Sequence, residues 1–135
     1  MLKQDCSTDF EFLPYDGSLQ RCFRYYQKSY DIATAPATNT DQQKLEMCIT
    51  SDAGNNAVFS MPYKASLRAS PTITFYRGDG TSGSWNYERS GASGNATMTA
   101  FVGRYGQNHL IAYGGVGTAY VAVKINGHYT SDSEL

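Results

Sequence analysis

The residues with the most chemistry to offer are few. The chain has two histidines, His109 and His128, and twelve carboxylates. A hydrolase needs a nucleophile beside a base, or two poised carboxylates. Both histidines fall in or beside alternating runs rather than in a catalytic motif. No G-x-S-x-G elbow, H-E-x-x-H or P-loop is present. Glu88 is the one carboxylate set among aromatics, with Trp85, Tyr87 and Arg89 nearby. It reads as a strand residue or a hydrogen-bonding group in a binding surface. The expectation is therefore a binding protein and not an enzyme.

Two clusters could bind a ligand. The first is Trp85, Asn86, Tyr87 and Arg89, between the Gly-rich stretches "GDGTSGS" and "SGASGN". In a strand, Trp85 and Tyr87 share a face about 7 Å apart. Two such rings could stack on one or two sugars, with Asn86 or Arg89 reaching hydroxyls. The competing reading makes Trp85 and Tyr87 core residues. The second cluster is the "GRYGQNH" turn, with Arg104, Tyr105, Gln107, Asn108 and His109. Loops at the ends of a sandwich are where such folds carry recognition.

The elements that position these residues follow from alternation. Period-two runs occur at 22–31, "KLEMCITS", "NAVFSMPY", "PTITFYRG", "SWNYER", "NATMTAFVGRY", "HLIAYGG" and "TAYVAVKINGHY". Leu45, Met47 and Ile49 share a face, as do Ile73 and Phe75, Met98, Ala100 and Val102, and Val121, Val123 and Ile125. Tyr26, Tyr30, Tyr76, Tyr120 and His128 fall on the opposite, outward rows. The clusters "SDAGNN", "RGDGTSG", "SGASGN" and "GGVG" supply turns. Only "DGSLQRCF", with Asp16 or Ser18 as N-cap, and "TNTDQQKL" could make a helical turn. The fold class expected is all-β: a two-sheet antiparallel β-sandwich, jelly-roll-like, with about eight strands. At 135 residues the chain reads most simply as one domain.

Composition narrows the function. The 135 residues carry a net charge of −1, which argues against nucleic acid as a partner. No window approaches the ~20 apolar residues of a membrane span, and the start has no secretory apolar core. Cys6, Cys22 and Cys48 are an odd number at unrelated spacings and read as idle or buried thiols, without a metal site or a cofactor. Arg77-Gly78-Asp79 reads as turn chemistry, and the sequon at Asn95-Ala96-Thr97 as accidental.

The residues also resemble a family. "DFEFLPYDGSLQRCFRYYQKSYD" looks like a signature of phage tail-fibre and tail-spike proteins, carried by Phe10, Glu11, Leu19, Cys22, Arg24, Tyr25, Tyr26, Lys28, Ser29 and Tyr30. Pro71, Thr72, Ile73, Thr74 and Tyr76 resemble its "T-P-T-V-T-x-Y" strand, and "GTSGSW" its following turn. His128, Thr130, Asp132, Glu134 and Leu135 resemble its "H-x-T-A-D-A-E-L" terminus. Ser131, Ser133 and Phe23 depart from the pattern. The resemblance implies a C-terminal module of a virion tail appendage, usually trimeric. Such a module binds a host-surface glycan or receptor beside other tail proteins, or else serves as a structural, capping or decoration module. It implies that residues 1–20 are an N-terminal junction to the domain 21–135, and that the outward row Arg24, Tyr26, Lys28 and Tyr30 is a subunit interface or meets the preceding module.

Overall fold

A computed structural model describes residues 14–89 and 96–134, with the backbone alone described at 96 and 99–105. The expected eight-stranded antiparallel β-sandwich is what the chain forms. In chain order the elements are α1 (Tyr15–Phe23), β1 (Tyr26–Lys28), β2 (Leu45–Thr50), β3 (Asn56–Pro62), β4 (Thr72–Tyr76), β5 (Ser84–Arg89), β6 (Ala96–Tyr105), β7 (His109–Gly115) and β8 (Ala122–Asp132). Hydrogen bonding runs β1-β8-β5-β6-β7-β3, with β2 and β4 also paired to β8.

Two long strands change partners midway and so carry the backbone ladder between the layers. β6 pairs with β5 up to Thr99 and with β7 from Ala100, with a register shift between Val102 and Arg104. β8 pairs with β2 and β5 through residues 122–127, then with β1 and β4 through 128–132. The exchange falls at Gly127, where a Cβ would lie 2.5–2.7 Å from ring atoms of Trp85. Only glycine lets the indole lie flat against this bend.

The core sits between the layers. Phe59 and Met61 of β3, Phe75, Trp85, Met98, Leu110 and Ala112, and Val123, Ile125 and Tyr129 of β8 are buried together. Trp85 stacks on Phe59 at 4.9 Å and meets Phe75 edge-on at 5.6 Å. Its indole N–H donates to the carbonyl of His128 at 2.8 Å, so the polar end of the ring is satisfied. Alternation is cleanest in β2, β3 and β7, each with one face toward the core.

Alternation fails in the second half of β8. From Ile125 to Ser131 both faces are buried, including Asn126 and His128. The reason is the segment after β1, which crosses the outer face of the sheet. Lys28 Nζ donates to the carbonyls of Ile32 and Thr34. Thr40 N–H donates to Gly78 O at 2.9 Å, and Gly80, with φ +89°, leaves space that a Cβ would lose to Ala37 O. His128, expected on a solvent face, lies under this cover. So does Tyr30, at 2 % exposure, stacked on the His128 ring with centroids 4.0 Å apart.

The helix differs from expectation too. α1 runs for nine residues directly after Pro14, with no side-chain cap, so neither Asp16 nor Ser18 is its N-cap. It buries none of its own residues. No helix forms over "TNTDQQKL".

Candidate functional site

The two predicted ligand clusters lie at opposite ends of β6. Tyr87 is in register with Ala96 and Tyr105 with Leu110. They are two separate surfaces and not one site.

At the first end Trp85 is a correction: at 0 % exposure its faces are covered by Phe59 and Phe75, and it cannot stack on a sugar. Tyr87 is half-buried against the core. Asn86 points to the opposite face, between Thr97 and Asn126 on the flanking strands. Arg89 lies with its guanidinium 5.9 Å from the Tyr87 ring centroid and donates to Thr118 Oγ1 at 2.6 Å. Glu88 sits in register with Lys124, beside the Lys124–Glu46 ion pair, as a strand-face residue.

That bond ties Arg89 to a turn that extends past "GGVG" into residues 118–121, which alternation places in a strand but which precede β8. Buried Ser51 donates to Thr118 O at 2.7 Å and accepts from Val121 N–H. Held this way, Tyr120 takes a left-handed φ of +54° and leaves its ring 74 % exposed. A bulky residue in that region is strained, and strain of this kind gathers at functional sites. Tyr87 and Arg89, with Thr118, put a ring and a cation together at this end, and the exposed Tyr120 follows two residues along the same turn. The signal in the sequence was the exposed row that held Tyr120.

At the other end, the turn before β7 is stitched to its neighbours. Tyr63 N–H donates to Asn108 O at 3.1 Å and Leu67 N–H to Gln107 O at 2.7 Å. The side chains of Gln107, Asn108 and His109 are exposed. Gln107 Nε2 also donates to Arg68 O at 3.5 Å, so this turn offers exposed polar side chains on a fixed backbone, which lowers the ordering cost of recognition. The side chains of Arg104 and Tyr105 fall outside the described residues.

The outward row of the opening motif splits. Arg24 and Tyr26 are exposed and Lys28 is half-buried, but Tyr30 is core. Gln27, on the opposite row, is buried and fully paired: its amide donates to Phe23 O and Ala65 O and accepts from Lys64 N–H. Tyr76 is half-buried, edge-on to Tyr30 at 6.1 Å. Beneath α1, a hollow of about 270 Å³ is lined by Leu19, Cys22, Phe23, Tyr26 and Ile32, with Lys28 and Lys64 at its rim.

A larger groove, about 370 Å³, lies between β2 and β3. Leu45, Met47, Met61 and Pro62 make its apolar walls, with Ser29, Gln43, Glu46, Lys64 and Tyr129. This is within the size range of small-molecule sites. Periodicity gave no sign of it, since it joins strand segments with a residue just past β1.

Cys22 and Cys48 are free and exposed, not buried. Among the described residues no group of His, Cys, Asp and Glu could hold a metal, and no helix is long and apolar enough to cross a membrane. Arg77 and Asp79 bond each other across their turn, whose backbone is closed by Gly80 N–H on Arg77 O. Asn95 of the sequon lies outside the described residues.

No family model, no curated protein and no solved structure matches this chain.

Proposed function

We propose that this chain is a receptor-binding module of a phage tail appendage, placed on the virion. It recognises a host-surface glycan without cleaving it. The observation that carries the reading is how the motif segments of the resemblance pack. Tyr26, Gln27 and Lys28 pair with Asp132, Ser131 and Thr130, and Tyr30 stacks on His128. Segments about a hundred residues apart thus form one unit, and their residue types answer to one set of contacts. The end surfaces, Tyr87–Arg89–Tyr120 and the Gln107–Asn108–His109 turn, are where a sugar would find rings and hydrogen-bonding groups together.

The test is binding of the purified chain to host cells and to a glycan array. Arg89→Ala or Tyr105→Ala should reduce binding at least tenfold while the fold is kept. If both variants bind as the parent does, the end-loop site is wrong. A second reading, a structural or capping module without its own ligand, is favoured by the apolar hollow under α1. It predicts an empty glycan array and loss of assembly when that hollow is altered.

A further inference from the structure

Ser29, directly after β1, makes an unusual set of contacts. Its Oγ lies 3.2 Å from Nδ1 of His128 and accepts the Tyr129 N–H at 3.0 Å. The other ring nitrogen, Nε2, lies 3.1 Å from the carbonyl oxygen of Thr40. A carbonyl can only accept, so the neutral imidazole carries its proton on Nε2 and presents Nδ1 as a bare acceptor. The Ser29 oxygen already accepts from Tyr129, so its single hydrogen points at Nδ1. This is the proton arrangement of a serine hydroxyl in front of a general base, with the Thr40 carbonyl orienting the base.

The surroundings hold that geometry. His128 is wholly buried and its ring plane is fixed by the stack with Tyr30. Burial pushes the His128 pKa below its ordinary value, which favours the unprotonated ring with Nδ1 free to accept. A hydroxyl serving only as a latch would do the same. What separates the two roles is access. Ser29 is half-buried and lines the β2–β3 groove, where Leu45, Met47, Met61 and Pro62 offer an apolar wall. Lys64 lines the same groove, its Nζ 3.5 Å from the carbonyl of Lys28, the residue before Ser29. Its ammonium also lies 5.5 Å from the Phe23 ring centroid, and it is a cation within the lining of this groove.

We propose that Ser29 is a nucleophilic serine, activated by His128, and that the groove accepts carboxylic esters with a small apolar acyl group. In the first step Ser29 Oγ bonds to the ester carbonyl carbon and its proton passes to His128 Nδ1. The carbon–oxygen bond to the alcohol then breaks, and the departing oxygen takes that proton. Water, deprotonated by Nδ1, next attacks the acyl-serine and releases the carboxylic acid, returning the hydrogen to Ser29. One ester and one water give one acid and one alcohol. The site shares no residue with either end surface, and its tests read chemistry at Ser29 rather than glycan binding, so its failure leaves the glycan reading untouched.

The experiment treats the whole chain with a fluorophosphonate probe and locates the adduct by peptide mass spectrometry, with p-nitrophenyl butyrate hydrolysis measured alongside. The expected result is an adduct on Ser29, and both adduct and hydrolysis reduced at least tenfold in Ser29→Ala. The variant Ser29→Cys keeps the shape and reads the activation directly. Its new thiol should react with iodoacetamide at least tenfold faster than the exposed Cys22 and Cys48 of the same chain. A probe that leaves Ser29 unmodified, together with a new thiol no faster than those two, overturns the proposal.

Discussion

His128 shows how much one residue depends on its cover. Its side chain is buried, its nitrogens face Ser29 and Thr40, and no carboxylate bonds it. Burial is the main force lowering its pKa; the Thr40 carbonyl and, more weakly, Asp41 act the other way, while Lys44 adds to the lowering. The sign of the pH effect follows. In the unfolded chain the imidazole takes up a proton below its ordinary pKa of about 6.5. The folded chain resists that proton, so the unfolded state binds more protons over this window. Stability is therefore complete above pH ~6.5 and falls as pH drops toward the lowered folded value. Urea midpoints at pH 7.5 and 5.5 should differ, with the lower pH less stable. Equal midpoints would show that the folded chain protonates His128 without cost.

The strands were legible in the sequence because each of β2, β3 and β7 packs one face and wets the other. Period-two patterning records that arrangement directly. β8 was half legible. Its first half alternates, but in its second half the crossing segment 29–41 covers the outer face, and local pattern carries no trace of a cover supplied by residues ninety positions away. For the same reason Tyr30 read as outward, while for Trp85 alternation alone left core and platform both open. The groove holding Ser29 was invisible because it depends on β2, β3 and β1 meeting. The distribution of partners also says which elements the fold needs. β8 pairs with four strands, and Ser133 beyond it bonds the carbonyls of Arg24 and Tyr25. α1 buries nothing. Removing residues 1–20 should leave a cooperative melt within a few degrees of the full chain. Removing residues 128–135 should abolish cooperative unfolding, since it strips β1 and β4 of their partner and Tyr30 of its stack. Thermal melts by circular dichroism decide both; a large loss on the first truncation would make α1 part of the folding unit.

At the scale of the molecule, the described residues leave an apolar region around α1 open. Tyr15 is 70 % exposed, Ile32 68 % and Tyr26 36 %. Ile32 and Tyr26, with Leu19, Cys22 and Phe23, line the hollow under α1, the helix that begins at Tyr15. Rings and aliphatic groups gathered in one place on a surface otherwise rich in polar side chains mark a contact. The proposed tail-appendage reading predicts a homotrimer whose subunits meet at this patch. Light scattering coupled to size exclusion should return three times the 14.8 kDa of one chain; a mass near 14.8 kDa would sink the idea. The patch makes a sharper demand on single residues. Tyr26→Ala should weaken the assembly more than Thr74→Ala, because a tyrosine ring supplies far more area for burial than a threonine side chain. Tyr30→Ala should behave differently from both. Its ring packs inside the subunit against His128 and Tyr76, so its loss should lower the melting temperature of the isolated chain and only through that the assembly. A Tyr26→Ala variant that stays trimeric at dilutions where the parent does would move the subunit contact off this face, toward the open strands β2 and β3.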